Sequence, residues 1–316
     1  MFVKRIAFCL LWFWVFYSMN AVAQQSILQD DDEYAIHAGV SSDASAAGQK
    51  KIITLQIFDK ITGMSKEISI SNRTETIVNL YHYEQEQLLI HGKLGSGGDV
   101  ITFVHLPTSQ VIDTIWGWDA SISPDFTKIA YNFRYPPQSI PLYRTSVLLV
   151  YDLTKTPEEN SMDNSDGNPT NRGFIIWPET NRLRQQYFIP AKNYEEQQHI
   201  ISPIVWNAAS TKVCFLMYPG DRERQGNPTY LILIDLSNGL NEPQISLQEV
   251  EASLFYKHSV LKSIKERKIG EQSGELNTRI PTEELRFTKD GLAIEIKPYG
   301  SSIFDGNTRV VIPIYP

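Results

Sequence analysis

Cysteine is almost missing from this 316-residue sequence, which holds only Cys9 and Cys214. A fold stapled by several disulfides is therefore excluded, and the chain must be held by an apolar core. Basic charge is also short: 29 Lys and Arg stand against 36 Asp and Glu, a net charge of −7. Neutralising phosphates takes clustered Lys and Arg, so the composition argues against a nucleic-acid partner. Long apolar runs are lacking too. The longest, residues 6–17, has 12 residues, short of the roughly 20 that carry a helix across a bilayer.

Patterned chemistry is equally sparse. The six histidines are His37, His82, His91, His105, His199 and His258. No two have the spacing of a zinc pair on a helix, and none adjoins a cysteine in a ligand pattern. His91 and His105 flank Gly95-Ser96-Gly97-Gly98, so a hairpin could set them on adjacent strands. With no carboxylate or third ligand evident beside them, a structural role is the expectation. The glycine cluster lacks the Gly-x-Ser-x-Gly spacing of a nucleophile elbow and suits a hairpin turn instead. Around Met162-Asp163-Asn164-Ser165-Asp166-Gly167, a calcium-loop register with Gly167 sixth puts Met162 first, where a carboxylate belongs. Phosphate-loop and dinucleotide fingerprints are absent. No catalytic residue, metal ligand or cofactor is assigned.

What is present begins with an address. Lys4 and Arg5 precede the apolar run, and Ala21-Val22-Ala23 supplies the small-x-small pattern of signal peptidase. Residues 1–23 therefore read as a secretory signal cut before Gln24, which predicts a periplasmic or secreted protein with no transmembrane span after cleavage. An uncleaved anchor is the competing reading. Losing Lys4, Arg5 and Cys9 leaves 27 basic against 36 acidic residues, a net of −9, and one cysteine. Cys214 lies in the apolar run Val213-Cys214-Phe215-Leu216-Met217, where a buried, inert thiol is expected.

Residues 24–51 carry Asp30-Asp31-Asp32-Glu33 and a Ser-, Ala- and Gly-rich stretch, and read as a flexible acidic leader. From residue 52 the pattern is β: Ile52-Ile53-Thr54-Leu55-Gln56-Ile57-Phe58, Val100-Ile101-Thr102-Phe103-Val104 and Val147-Leu148-Leu149-Val150-Tyr151 are short β-branched and aromatic runs between turn clusters. Two of these units repeat. Ser123-Pro124-Asp125-Phe126-Thr127-Lys128 leads to a strand and later to Asp152-Leu153; Asn207-Ala208-Ala209-Ser210-Thr211-Lys212 leads to a strand and later to Asp235-Leu236. Hairpin units of this kind cannot bury their own faces and must stack. Residues 50–245 resemble the blades of TolB-like and peptidase-associated β-propellers, with Phe126 standing where that family usually has glycine. The resemblance implies a propeller-like body over 52–245; an irregular β body is the alternative.

Beyond residue 246 the pattern changes. Leu247, Val250, Leu254, Leu261 and Ile264 fall near helical spacing, with Glu249 and Glu251 early and Lys265, Arg267 and Lys268 late. A helix over 246–267 is therefore predicted, followed by strands at 285–299 and 309–314. Gly291-Leu292, Pro298-Tyr299, Gly306 and Ile312-Pro313 resemble the C-terminal domain of envelope proteins that include the lysozyme-sensing anti-sigma factor and some cell-wall deacetylases. That resemblance implies a noncatalytic α+β module over 246–316.

The fold expected is thus mainly β, with a propeller-like or irregular body and a small C-terminal α+β module. Candidate partner-binding residues are Trp116 and Trp118, Arg222 and Arg224 on a long loop, and Tyr299. Trp116, Trp118, Trp177 and Trp206 lie at strand ends or before turns, where capping of blades is the expectation and glycan stacking the alternative. The function expected is an exported, noncatalytic binding or sensing protein of a bacterial envelope with a protein or glycan partner. The alternatives are a secreted hydrolase with a carboxylate-based site and a structural or assembly factor.

Overall fold

The computed structural model describes residues 26–30, 32–42, 51–72, 74–83, 87–95, 97–134, 146–160, 172–177, 199–200, 203–218, 229–250, 282–298 and 309–314. The chain divides into two compact units, Met1–Thr114 and Ile115–Pro316.

In the first unit, β1 (Ser26–Asp30), β2 (Tyr34–Ser42), β3 (Lys51–Asp59) and β4 (Ser65–Asn72) form an antiparallel sheet in that order. Its inward residues recur every second position, as a pleated strand requires: Ile36, Ala38 and Val40, then Ile53, Leu55 and Ile57, then Ile68 and Ile70. The register sets them opposite one another, Ile36 on Ile57 and Leu55 on Ile68. They pack on Ile77, Leu80, Leu88, Ile90 and Val104, which come from β5 (Thr76–Tyr83), β6 (Gln87–Lys93) and β7 (Asp99–His105). The stretch expected as a mobile leader thus includes two paired strands. Asp30 ends β1 and pairs with Lys60, and the Lys60 amide donates to the Glu33 carbonyl at 2.8 Å. Ile36, Ala38 and Val40 supply the buried face.

In the second unit, the C-terminal half of β8 (Gln110–Ile122) pairs with β9 (Lys128–Arg134), followed by β10 (Ser146–Asp152), a short α1 (Pro157–Asn160) and β11 (Phe174–Trp177). Next come β12 (His199–Ile200), β13 (Val205–Trp206), β14 (Lys212–Tyr218), β15 (Thr229–Asp235) and β16 (Gln244–Val250), with β14 and β15 central. A third sheet holds β17 (Thr282–Phe287), β18 (Ala293–Pro298) and β19 (Val310–Pro313). The middle sheet is buried on both faces. Val213, Phe215 and Met217 of β14 meet the core of the β8–β11 sheet, while Cys214 and Leu216 meet Leu285, Ile294 and Ile296. That is why residues 213–217 form an unbroken apolar run. Cys214 is fully buried, and burial pushes its thiol well above the usual range, as an inert thiol requires.

The helix expected over 246–267 meets a strand at its start. Residues 246–250 belong to β16, which pairs along its length with β15; residues 251–267 lie outside those described. Ile245 and Leu247 pack on one core and Val250 on another, so the two-residue period prevails over the helical one because β15 offers a partner.

One turn geometry recurs three times. The Ser123 amide donates to the Lys128 carbonyl and the Phe126 amide to the Ser123 carbonyl; Asn207, Lys212 and Ser210 repeat this, as do Thr288, Ala293 and Gly291. The residue after each later strand then returns a bond: Leu153 to Thr127, Leu236 to Thr211, Ile314 to Leu292, at 2.7–2.9 Å. The third copy lies in the segment set apart in the sequence as a separate module. Its Thr288-Lys289-Asp290-Gly291 carries the same turn signature in the sequence.

Candidate functional site

The candidate site lies on β8 and β9. Trp118 stands directly opposite Asn132, Asn132 opposite Leu148 of β10, and Leu148 opposite Trp177 of β11. Residues facing each other across an antiparallel ladder share a face. The row Trp118–Asn132–Leu148–Trp177 therefore lies on the side that carries Ala130 and Val150 into the core. Trp177 meets the ring of Phe215 edge-on, with centroids 5.6 Å apart and planes at 75°.

Asn132 is the anomaly in this row. It is fully buried, and neither its amide oxygen nor its amide nitrogen has a hydrogen-bond partner among the described residues. A buried polar group left unpaired costs about 1–3 kcal/mol, so the amide is held at a loss in the free protein. Sequence reasoning passed over Asn132. The available signal was one amide inside Ile129-Ala130-Tyr131-Asn132-Phe133, at the register position of the core-facing Ala130.

Two features set Trp118 beside it. A bulge shifts the β8–β9 register between Trp118 and Ser121, and Asp119 within it has φ 55°. The indole nitrogen of Trp206 donates to the carbonyl of Ser121 at 3.0 Å, tying the end of β8 to the next sheet. On the opposite face, Gly117 gives β9 room: a Cβ there would lie 2.5 Å from the Tyr131 ring and 2.9 Å from the Asn132 carbonyl oxygen. Trp116 and Trp118 are both half-buried. Trp206 and Trp177 are core residues.

The Asp125 amide donates to the Ser210 hydroxyl at 3.0 Å, joining the β8–β9 and β13–β14 turns. The chain leaves β9 at Arg134 and β14 at Tyr218, at the ends of those strands remote from the turns. Arg222, Arg224 and Tyr299 lie outside the described residues.

A second cluster lies in the first unit. His91 and His105 are on adjacent strands but at opposite ends, His91 opposite Ile101 and His105 opposite Gln87. A carboxylate does stand beside His91, contrary to expectation. Asp99 Oδ1 lies 2.6 Å from both His91 Nε2 and Lys93 Nζ, and the His91 and Asp99 side chains are buried. His105 instead meets the Thr108 hydroxyl at 2.8 Å. Among the described residues, no three His, Cys, Asp or Glu converge to hold a metal ion, and no helix is long and apolar enough to cross a membrane.

No protein-family model matches the sequence, and no curated protein matches it. The likeness of 246–316 to the envelope family therefore rests on its short motifs alone. Solved structures offer weak similarity. The tricorn protease shares 11% identity over 88% of this chain and 30% of its own, with a TM-score of 0.35. The β-propeller domain of the Trilobed protease from Pyrococcus furiosus shares 10% over 94% and 86%, with a TM-score of 0.33. A putative TolB from Agrobacterium tumefaciens shares 9% over 73% and 66%, with a TM-score of 0.27. The chain thus spans less than a third of the tricorn protease. The protein is mainly β, and that class rests on its own paired strands.

Proposed function

We propose that the protein is an exported, noncatalytic binding or sensing protein of a bacterial cell envelope, acting in the periplasm or outside the cell. Export is supported by Lys4-Arg5, the apolar residues 6–17 and Ala21-Val22-Ala23. Binding rests on one observation, the half-buried Trp118 set directly opposite Asn132, which is buried and has no side-chain hydrogen-bond partner among the described residues. A few placed polar groups among aromatic side chains are the usual lining of a recognition site. Fractionation of expressing cells, with N-terminal sequencing of the product, should find the chain in the envelope fraction beginning at Gln24. Crosslinking in that fraction should capture a partner that the Trp116→Ala/Trp118→Ala variant loses while keeping its far-ultraviolet spectrum. A variant that retains every partner removes the site.

The hydrolase reading has a specific observation in its favour, the buried His91–Asp99 pair. A carboxylate that orients an imidazole is a familiar acid–base arrangement. On that reading the chain hydrolyses an envelope substrate and His91→Gln abolishes turnover; an active His91→Gln variant discards it.

A further inference from the structure

We infer that the β3–β4 turn seats Ile61 and Met64 in an apolar pocket, rimmed by Lys and Arg, on a protein partner. This is a second surface, in the first unit, and it stands apart from the Trp118 site. Ile61 and Met64 are 76% and 67% exposed, and neither belongs to a core cluster. Apolar residues scattered singly over a surface need no account. These two share one short turn, where Asp, Asn, Ser and Gly are the usual residues, and the turn itself does not require an apolar side chain. Its shape is set by Asp59 and Gly63. Asp59 Oδ1 accepts from the Ile61 and Thr62 amides at 2.8 and 2.9 Å. The Asp59 amide donates to the Met64 carbonyl at 2.9 Å and the Gly63 amide to the Asp59 carbonyl at 2.8 Å, with Gly63 at φ 72°. A side chain presented on so closed a backbone brings little loop-ordering cost to binding.

The charge around the turn selects the partner. Tyr34 stands opposite Asp59, the Lys60 amide donates to the Glu33 carbonyl at 2.8 Å, and the Lys60 ammonium pairs with Asp30. The exposed Asp30, Asp32 and Glu33 therefore lie at the same end of the sheet as the turn. With Asp59 they outnumber the two cations there, Lys60 and Lys66. An apolar knob inside an acidic rim fits an apolar pocket inside a basic one, because interface cores are apolar and rim charges set specificity and encounter rate. The same charge disfavours two other occupants. An anionic lipid surface attracts Lys and Arg and repels carboxylates, and the same face of a second copy would set one acidic rim against another.

The test uses the full chain, expressed with its own leader. The photo-crosslinker benzoylphenylalanine replaces Ile61, Met64 or, as the control, the exposed Ser69 of β4. After irradiation of intact cells, sequencing of the crosslinked peptides should find one protein joined to positions 61 and 64 and not to 69, through an apolar segment flanked by Lys or Arg. Purified, that protein should bind the chain in solution. Ile61→Ser/Met64→Ser should weaken the binding about tenfold or more with an unchanged melting midpoint. Asp32→Asn/Glu33→Gln should weaken it about threefold at low salt and leave it unchanged at high salt; this exposed pair keeps the inference testable if the double serine variant folds poorly. Crosslinks to a second copy alone, a contacted segment without Lys or Arg, no crosslink above the control, or full affinity in both variants each overturns the assignment. So does flotation with vesicles of phosphatidylcholine and phosphatidylglycerol that Ile61→Ser/Met64→Ser abolishes, since the occupant would then be a membrane.

Discussion

Single residues in this chain are held against their intrinsic preferences. Phe126 and Ser210 have φ 56° and 57° at the turn position that Gly291 fills with φ 72°. The left-handed region costs an L-residue roughly 1–2 kcal/mol. Phe126→Gly should therefore stabilise the protein by about 1 kcal/mol in urea unfolding; a loss instead would mean that contacts of the aromatic ring outweigh the strain. In the same turn, partial burial pushes the Asp125 carboxyl up. The Ser123 hydroxyl, the Thr127 amide and hydroxyl, and the Lys128 charge more than offset this and hold it at about 2. A carboxylate depressed in the folded state contributes stability that is complete above its unfolded value, near 3.8, and fades as pH falls toward 2. The melting midpoint should drop across that window, and Asp125→Asn should flatten the drop. An unchanged slope would show that the turn bonds do not favour the ionised form.

At the scale of elements, the deciding contacts are close approaches between strands. Gly117 lets β8 lie against β9 with the Tyr131 ring beneath it. Gly117→Ala puts a methyl against a ring and a backbone carbonyl, and should destabilise by about 1–3 kcal/mol while shifting Trp118 relative to Asn132. Denaturant unfolding with tryptophan emission checks both effects; a neutral variant would mean that β8 yields easily. Elements also show where local pattern runs out. The alternation in β3 and the unbroken apolar run of β14 were legible because periodicity reports how many faces a strand buries. β16 was misread because Leu247 and Val250 fit one helical face while Ile245 and Leu247 fit one strand face, and only the partner β15 decided between the two periods. β1 and β2 were missed because the acids near their connection outweighed the alternating apolar Ile36, Ala38 and Val40 in a compositional reading.

For the molecule as a whole, the consequence is that the C-terminal strands are a wall of the second unit's core and not a detachable tail. Leu285, Ile294, Ile296, Val310 and Ile312 cover Cys214, Leu216, Leu231 and Leu233. Each such side chain contributes about 1.5–3 kcal/mol when buried. A chain ending at Pro243 should therefore unfold or aggregate, and Cys214, buried in the intact protein, should become open to thiol reagents. Labelling with a maleimide before and after truncation measures this; an unreactive Cys214 in a folded, truncated chain would show the wall to be dispensable. The sequence by itself determined the mainly β class, the need for an apolar core in place of disulfides, the buried thiol and the repeated turn, because each follows from composition or local period. Tertiary structure alone decided that Trp118 faces Asn132, that His91 meets Asp99, and that the last strands cover the Cys214 face of the middle sheet. The first two depend on strand register, which a bulge or a one-residue slip changes, and the third on sheet stacking, and neither is encoded in a local pattern.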